Sequence, residues 1–166
     1  MTVVKLLRPM AVAALVLVTS YVSAQAGQEA QSTLNVTLWD KGADAEMKMD
    51  MGMGMTGDHT MSNMGLKLSQ PSVKAGEVTF KVTNTSKDQI HEMIVVPYPA
   101  SGKLAYSDKD AKFDEDAAKA MGEVSELDPG KAGSLTLHLA PGKYVLTCNV
   151  ANHFANGMWT TLTVTE

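Results

Sequence analysis

The chain has no apolar run approaching the ~20 residues a membrane-spanning helix needs. Its longest, Met10 to Val18, follows Lys5 and Arg8 and precedes a small-residue end at Ala24-Gln25-Ala26. That layout is a secretory signal peptide, residues 1–26, with cleavage after Ala26 and export to the periplasm. The mature chain, 27–166, has 140 residues, the length of a single domain. No membrane anchor remains after cleavage, and no cysteine near the cut offers a lipid attachment. Positive charge is scarce: 12 basic against 18 acidic side chains give the mature chain a net charge of −6. Nucleic acids and anionic membrane surfaces are therefore poor partners. Cysteine is nearly absent as well. One thiol, Cys148, cannot make an intrachain disulfide. In an oxidising compartment it needs burial or a metal to escape oxidation or intermolecular pairing.

Short β-type runs fill the remainder. In EVTFKVTN, Val78, Phe80 and Val82 alternate with Thr79, Lys81 and Thr83. LNVTLWD, SLTLHLAPG, KYVLTCNV and MWTTLTVTE follow the same rule, with turn chemistry at KAG, DPGK and APGK between them. This spacing predicts an all-β antiparallel sandwich or barrel. Two segments depart from it. Residues 107–121 carry a Ser107 cap with Asp110 three residues on and then good helix formers, which predicts one short helix with an acidic face. Residues 47–64 are rich in Gly and Met, which predicts a flexible insertion.

The informative stretch is CNVANHFANGM, residues 148–158. Counting by two from Met158 reaches Thr160, Leu162 and Val164, and Cys148 is in phase with Tyr144 and Leu146. Both sulfurs can thus face inward, with His153 on the loop between them. Singly, each has an ordinary explanation; a lone buried cysteine is usually a small hydrophobe. Together, thiolate, imidazole and thioether select copper over hard cations. His91, opening the apolar run in QIHEMIVV, supplies the second imidazole of a His₂Cys set with a weak axial Met.

At these residues the chain resembles the cupredoxins, the blue copper proteins related to plastocyanin and azurin. The resemblance covers roughly residues 31–40 and 65–166, through VKAGEVTFKVTN, HEMIVV and PGKYVLTCNVANHFANGMWTTLTV. It implies a Greek-key β-sandwich and one mononuclear type 1 copper cycling between Cu(I) and Cu(II). His91, Cys148 and His153 would be its equatorial ligands and Met158 the axial one. The C-x4-H-x4-M loop is similar to those of rusticyanin and auracyanin. One residue departs: where plastocyanin and azurin have an asparagine that braces the cysteine loop, this chain has Glu92. A regular strand would turn Glu92 away from His91, as a surface or bracing group. Histidines flanking the cysteine, which wire it to a second copper in the multicopper enzymes, are replaced by Thr147 and Asn149, so an enzyme is not expected.

Met47, Met49, Met51, Met53 and Met55 recur every second residue, and His59, Met61 and Met64 follow. Thioethers bind Cu(I) without deprotonation, so this segment is a candidate auxiliary Cu(I) site, similar to Met-rich segments of periplasmic copper-tolerance proteins. Gly52, Gly54 and Gly57 argue against core packing there. His138 reads as an outward strand residue. The expected protein is a monomeric, redox-active copper protein serving copper handling, with a transient redox or copper-exchange partner. A dedicated electron carrier, with the Met-rich segment a passive linker, is the alternative. Phe154, Ala155 and Met158 would form an apolar docking patch around His153.

Overall fold

The computed structural model describes residues 31–46, 51–54 and 62–166. The expected signal peptide, and Met47, Met49, Met55, His59 and Met61 of the Met-rich segment, lie outside the described residues. The described chain forms β1 (Gln31–Asp40), β2 (Met64–Leu68), β3 (Ser72–Lys74), β4 (Gly76–Asn84) and β5 (His91–Pro97). It continues through β6 (Tyr106–Ser107), β7 (Lys112–Phe113), α1 (Glu115–Ala118), β8 (Gly122–Leu127), β9 (Ala132–Leu139), β10 (Gly142–Thr147) and β11 (Trp159–Thr165). Among these residues no helix is long and apolar enough to cross a membrane.

One sheet has the order β2-β1-β4-β9 and the other β3-β11-β10-β5-β8. Pairing is antiparallel except between β1 and β4 and between β3 and β11, which run parallel. A parallel neighbour cannot be reached by a tight hairpin, so the chain crosses between sheets to make these pairs. The result is the all-β sandwich that the alternation predicts, in the Greek-key form that the resemblance implies, with one short helix.

The alternating strands place Leu34, Val36 and Leu38 of β1 and Val78, Phe80 and Val82 of β4 between the sheets, each at most 1% exposed. Burial of each such side chain contributes on the order of 1.5–3 kcal/mol. The run opened by His91 does not alternate, because β5 is buried on both faces. Met93 and Val95 join the inter-sheet core, whereas Ile94 and Val96 pack outward against Leu104, Phe113, Val145, Phe154 and Met53.

The helix is much shorter than residues 107–121 suggest. Phe113 is buried against Phe154, ring centroids 5.4 Å apart. Strands β6 and β7 carry it there as a two-stranded ribbon. Ser107 Oγ donates to Asp110 Oδ2 at 2.7 Å, closing the turn of that ribbon where a helix cap was expected. Asp114 instead caps a single turn, its carboxylate accepting from Ala117 N, and Lys119 at φ 58° ends it.

Candidate metal centre

The inward rows of the sandwich stay apolar until one end and there turn polar. Leu34, Val36 and Leu38 are followed in phase by Asp40; Val78, Phe80 and Val82 by Asn84; Tyr144 and Leu146 by Cys148. Since β5 runs against β10 and β11 runs against β10, His91 and Met158 reach the same end. The pairing of β10 with β11 extends one residue beyond both strands, Cys148 N donating to Met158 O at 3.0 Å.

Three donor atoms converge there. His91 Nδ1 lies 3.2 Å from His153 Nδ1, and Cys148 Sγ lies 3.4 Å from the same His153 atom. All three fall within 4.8 Å of one another, the one such group of His, Cys or acidic residues among the described residues. His91 and Cys148 are fully buried and His153 is 5% exposed. Met158, also fully buried, shares the core cluster of Cys148, and its N–H donates to His153 O at 3.0 Å.

Burial sets the protonation of these groups. It pushes the Cys148 thiol up to about 12, against the N–H groups of Glu92 and Val150 that point at its sulfur. Burial, then the neighbouring His91, holds His153 down to about 4. His91 is also lowered by burial, with Asp40 working the other way. At neutral pH the metal-free site therefore presents two neutral imidazoles, each with a lone pair available at one nitrogen, and a protonated thiol.

The bracing is thorough, and most of it was not visible in the sequence. Glu92 is buried, so its surface role is excluded and its bracing role holds: Oε1 accepts from Asn149 N at 2.9 Å. Its own N–H points at Cys148 Sγ at 3.5 Å. Glu92 thus ties β5 to the cysteine loop at two points. Burial raises its pKa, which the Asn149 bond partly offsets. Asn149 in turn accepts from Phe113 N at 2.9 Å and donates to Glu115 Oε1 at 2.7 Å, fastening the loop to the ribbon and helix. Asn84 donates to the carbonyls of Gln89 and Leu127, both at 2.8 Å, which fixes the turn leading into His91. Asp40 and Asn84 had a legible signal, a polar residue in the apolar phase at a strand end.

Two expectations about the surroundings are overturned. Phe154, Ala155 and Met158 form no exposed patch; they are 0%, 2% and 0% exposed. Residues 51–54 lie over the loop, Met51 N donating to Ala155 O at 2.7 Å and Trp159 Nε1 to Met51 O at 2.8 Å. Nor do the glycines keep methionine out of the core. Met51 and Met53 are 5% and 4% exposed, and Met64, which opens β2, is 2% exposed. Met53 fills the outer cluster, while Met64 fills the inter-sheet core. Gly54, at φ +83°, permits this approach, since a Cβ there would stand 2.2 Å from Lys103 Cγ. His138 lies exposed on β9, in register with Glu77, as its phase predicts.

The sulfocyanin (SoxE) domain family matches residues 61–166. The chain belongs to this family. Sulfocyanins are cupredoxins, in agreement with the sandwich and its donor cluster. Among solved structures, the chain is similar to auracyanin from Roseiflexus castenholzii, with 20% identity, 84% of this chain and 100% of that one covered, and a TM-score of 0.52. Auracyanin A, a blue copper protein from Chloroflexus aurantiacus, gives 19% identity, coverage of 81% and 99%, and a TM-score of 0.52. A rusticyanin gives 16% identity, coverage of 80% and 77%, and a TM-score of 0.51. Comparison with curated protein sequences finds no match. The sulfocyanin donor set fits a type 1 copper by its chemistry: one soft thiolate, two neutral imidazoles and a buried thioether, with no carboxylate inside the cluster.

Proposed function

We propose that this sulfocyanin-family protein is an exported electron carrier whose copper would be held by His91, Cys148 and His153, with the Met158 thioether as the fourth ligand. The observation that carries this reading is the convergence of two imidazole nitrogens and one cysteine sulfur, 3.2 and 3.4 Å apart, in a buried site. Bound copper supplies a one-electron couple. The chain's own part is to hold the donors still between the two oxidation states. Strand ends fix His91 and Cys148, while Glu92 and Asn149 fix the loop that carries His153. A donor set that does not rearrange keeps the cost of changing oxidation state small, and a dry site keeps competing ligands out. His153 is the outermost of the three donors, and its ring would be the path between a bound copper and a redox partner. Thr147 and Asn149 on either side of Cys148 are engaged with backbone groups and Glu115, so neither wires the cysteine to a second centre.

Copper handling is the rival reading, and burial of Met51, Met53 and Met64 weighs against it. Three of the seven thioethers of the segment are occupied in packing, which leaves fewer to collect Cu(I). The test is titration of the mature protein with Cu(II) and Cu(I), following visible absorption and metal stoichiometry together. One intensely coloured site, abolished by Cys148→Ser, is the expected result; colour that survives this substitution overturns the ligand assignment. Further Cu(I) that disappears when Met47, Met49, Met55 and Met61 are replaced by Leu would restore copper handling. Substitution is preferable to deleting residues 47–64, since deletion would also remove core side chains.

A further inference from the structure

Asp40 is the last residue of β1, in phase with Leu34, Val36 and Leu38, so strand geometry turns its carboxylate into the core. Its side chain is 1% exposed. A carboxylate is rarely found so deep unless its oxygens are all engaged. Here Oδ2 lies 2.7 Å from His91 Nε2, and Oδ1 accepts from Gly42 N at 2.6 Å. Burial raises the Asp40 pKa, but Ser86, with His91 and the Gly42 N–H, holds it below its ordinary value. Ser86 is itself held by its N–H to Asn84 Oδ1 at 2.9 Å. The acceptor is thus fixed at the end of β1, by the strand itself and by the Gly42 N–H of the turn that follows it.

An ionised carboxylate can only accept, so His91 Nε2 carries the proton and donates it. That leaves the lone pair on Nδ1, the atom 3.2 Å from His153 Nδ1 and facing the donor cluster. We propose that Asp40 is a positioning residue for the copper site: it holds His91 as the Nε2–H tautomer, locks its ring orientation, and makes Nδ1 a stronger donor. The inference rests on His91 being a copper ligand. A carboxylate behind a metal-bound histidine pushes electron density toward the metal, and partners of this kind typically change metal affinity 10–100-fold. The higher oxidation state has the greater demand for that density, so Asp40 favours Cu(II) over Cu(I) and lowers the reduction potential. His91 is the donor on which this control is exerted.

Two measurements test this. In the metal-free wild type at neutral pH, ¹⁵N NMR of the His91 ring should show Nε2 protonated and Nδ1 bare; the opposite tautomer overturns the proposal without reference to copper. In Asp40→Asn, which keeps an acceptor oxygen and loses the charge, the visible band should persist. The preference for Cu(II) over Cu(I) should fall about tenfold, which for a one-electron couple is a rise of about 59 mV in potential. Asp40→Leu, which removes the acceptor as well, should shift the potential further and mix the His91 tautomers. Potentials equal to wild type in both variants overturn the proposal. If Asp40→Leu does not fold, Asp40→Asn and the wild-type tautomer decide the matter. A wild type that binds copper without the visible band would sink the copper-site reading itself, while the tautomer would still report whether Asp40 orients the ring.

Discussion

The two histidines of the site are secured by opposite means. His91 stands on a strand, with β10 and β8 bonded to either side of β5, a buried carboxylate behind its ring and a turn organised by Asn84 before it. His153 stands in a loop of nine residues between Cys148 and Met158. Nothing in a sheet ladder holds it. Its loop is fastened by turn bonds such as Asn156 N to Asn152 O at 3.0 Å, by Asn149 on one side, and by residues 51–54 laid across the other. Strand pairing is cooperative with the global fold, whereas a loop kept in place by a separate segment can open on its own. The half of the site that sits on strands should therefore respond only to global unfolding, and the loop half to whatever loosens its cover.

Three changes would break or sharpen that contrast. The largest effect is expected from Met53→Ala, which empties a buried position among Ile94, Phe113 and Phe154. It should cost about 2–5 kcal/mol of unfolding free energy in the metal-free protein. Hydrogen exchange should accelerate at residues 149–157 before it does at 92–96. Equal acceleration in both would mean that the two halves are one cooperative unit. Gly157→Ala comes next. Gly157 has φ +89°, and a Cβ there would stand 3.0 Å from Ser62 Oγ and 3.2 Å from Met51 Cβ. The substitution should cost about 1–3 kcal/mol and displace Met51, read as a loss of the protection that the Ala155 carbonyl gives its N–H; a stability equal to wild type would show the cover to be loosely held.

The smallest expected effect concerns protons. The metal-free site holds its thiol proton, with the thiol at about 12, and leaves His153, at about 4, uncharged near pH 7. Copper binding should release one proton per ion, from Cys148, so that affinity rises about tenfold for each unit of pH, or 1.4 kcal/mol. Calorimetry in buffers of different ionisation heat measures the count; two or more protons released at pH 7 would mean that the imidazoles are not held neutral. His153 also makes the metal-free fold sensitive to acid. Its folded pKa lies below the unfolded value near 6.5, so the unfolded chain takes up the proton first. Stability should be undiminished above that value and fall as pH drops from about 6.5 toward 4.

Much of this arrangement was legible in the residues. Alternation located the strands that matter, and the phase of Cys148 and Met158 put both sulfurs inside, as found. What escaped was of two kinds. Asp40 and Asn84 were polar residues at the ends of apolar rows, and a row of inward positions does not say which partner waits at its end. Met51 and Met53 were misread because glycine was taken as a sign of looseness. Here Gly54 and Gly157 serve close backbone approach, which is visible only once both surfaces are present. The overlong helix has a similar cause: Ser107 and Asp110 do bond, yet the same pair closes a turn when Phe113 is drawn into the core.

Trp159 follows Met158 in the chain, and its indole N–H is spent on the Met51 carbonyl of the covering segment. One chromophore is therefore adjacent in sequence to Met158 and packed on the outer, lid side of the loop. Its emission should be quenched when oxidised copper is bound and should move to longer wavelength when the segment lifts and water reaches the ring. The molecule carries a built-in optical gauge, able to report the charge state of the centre and the opening of its roof from a single side chain.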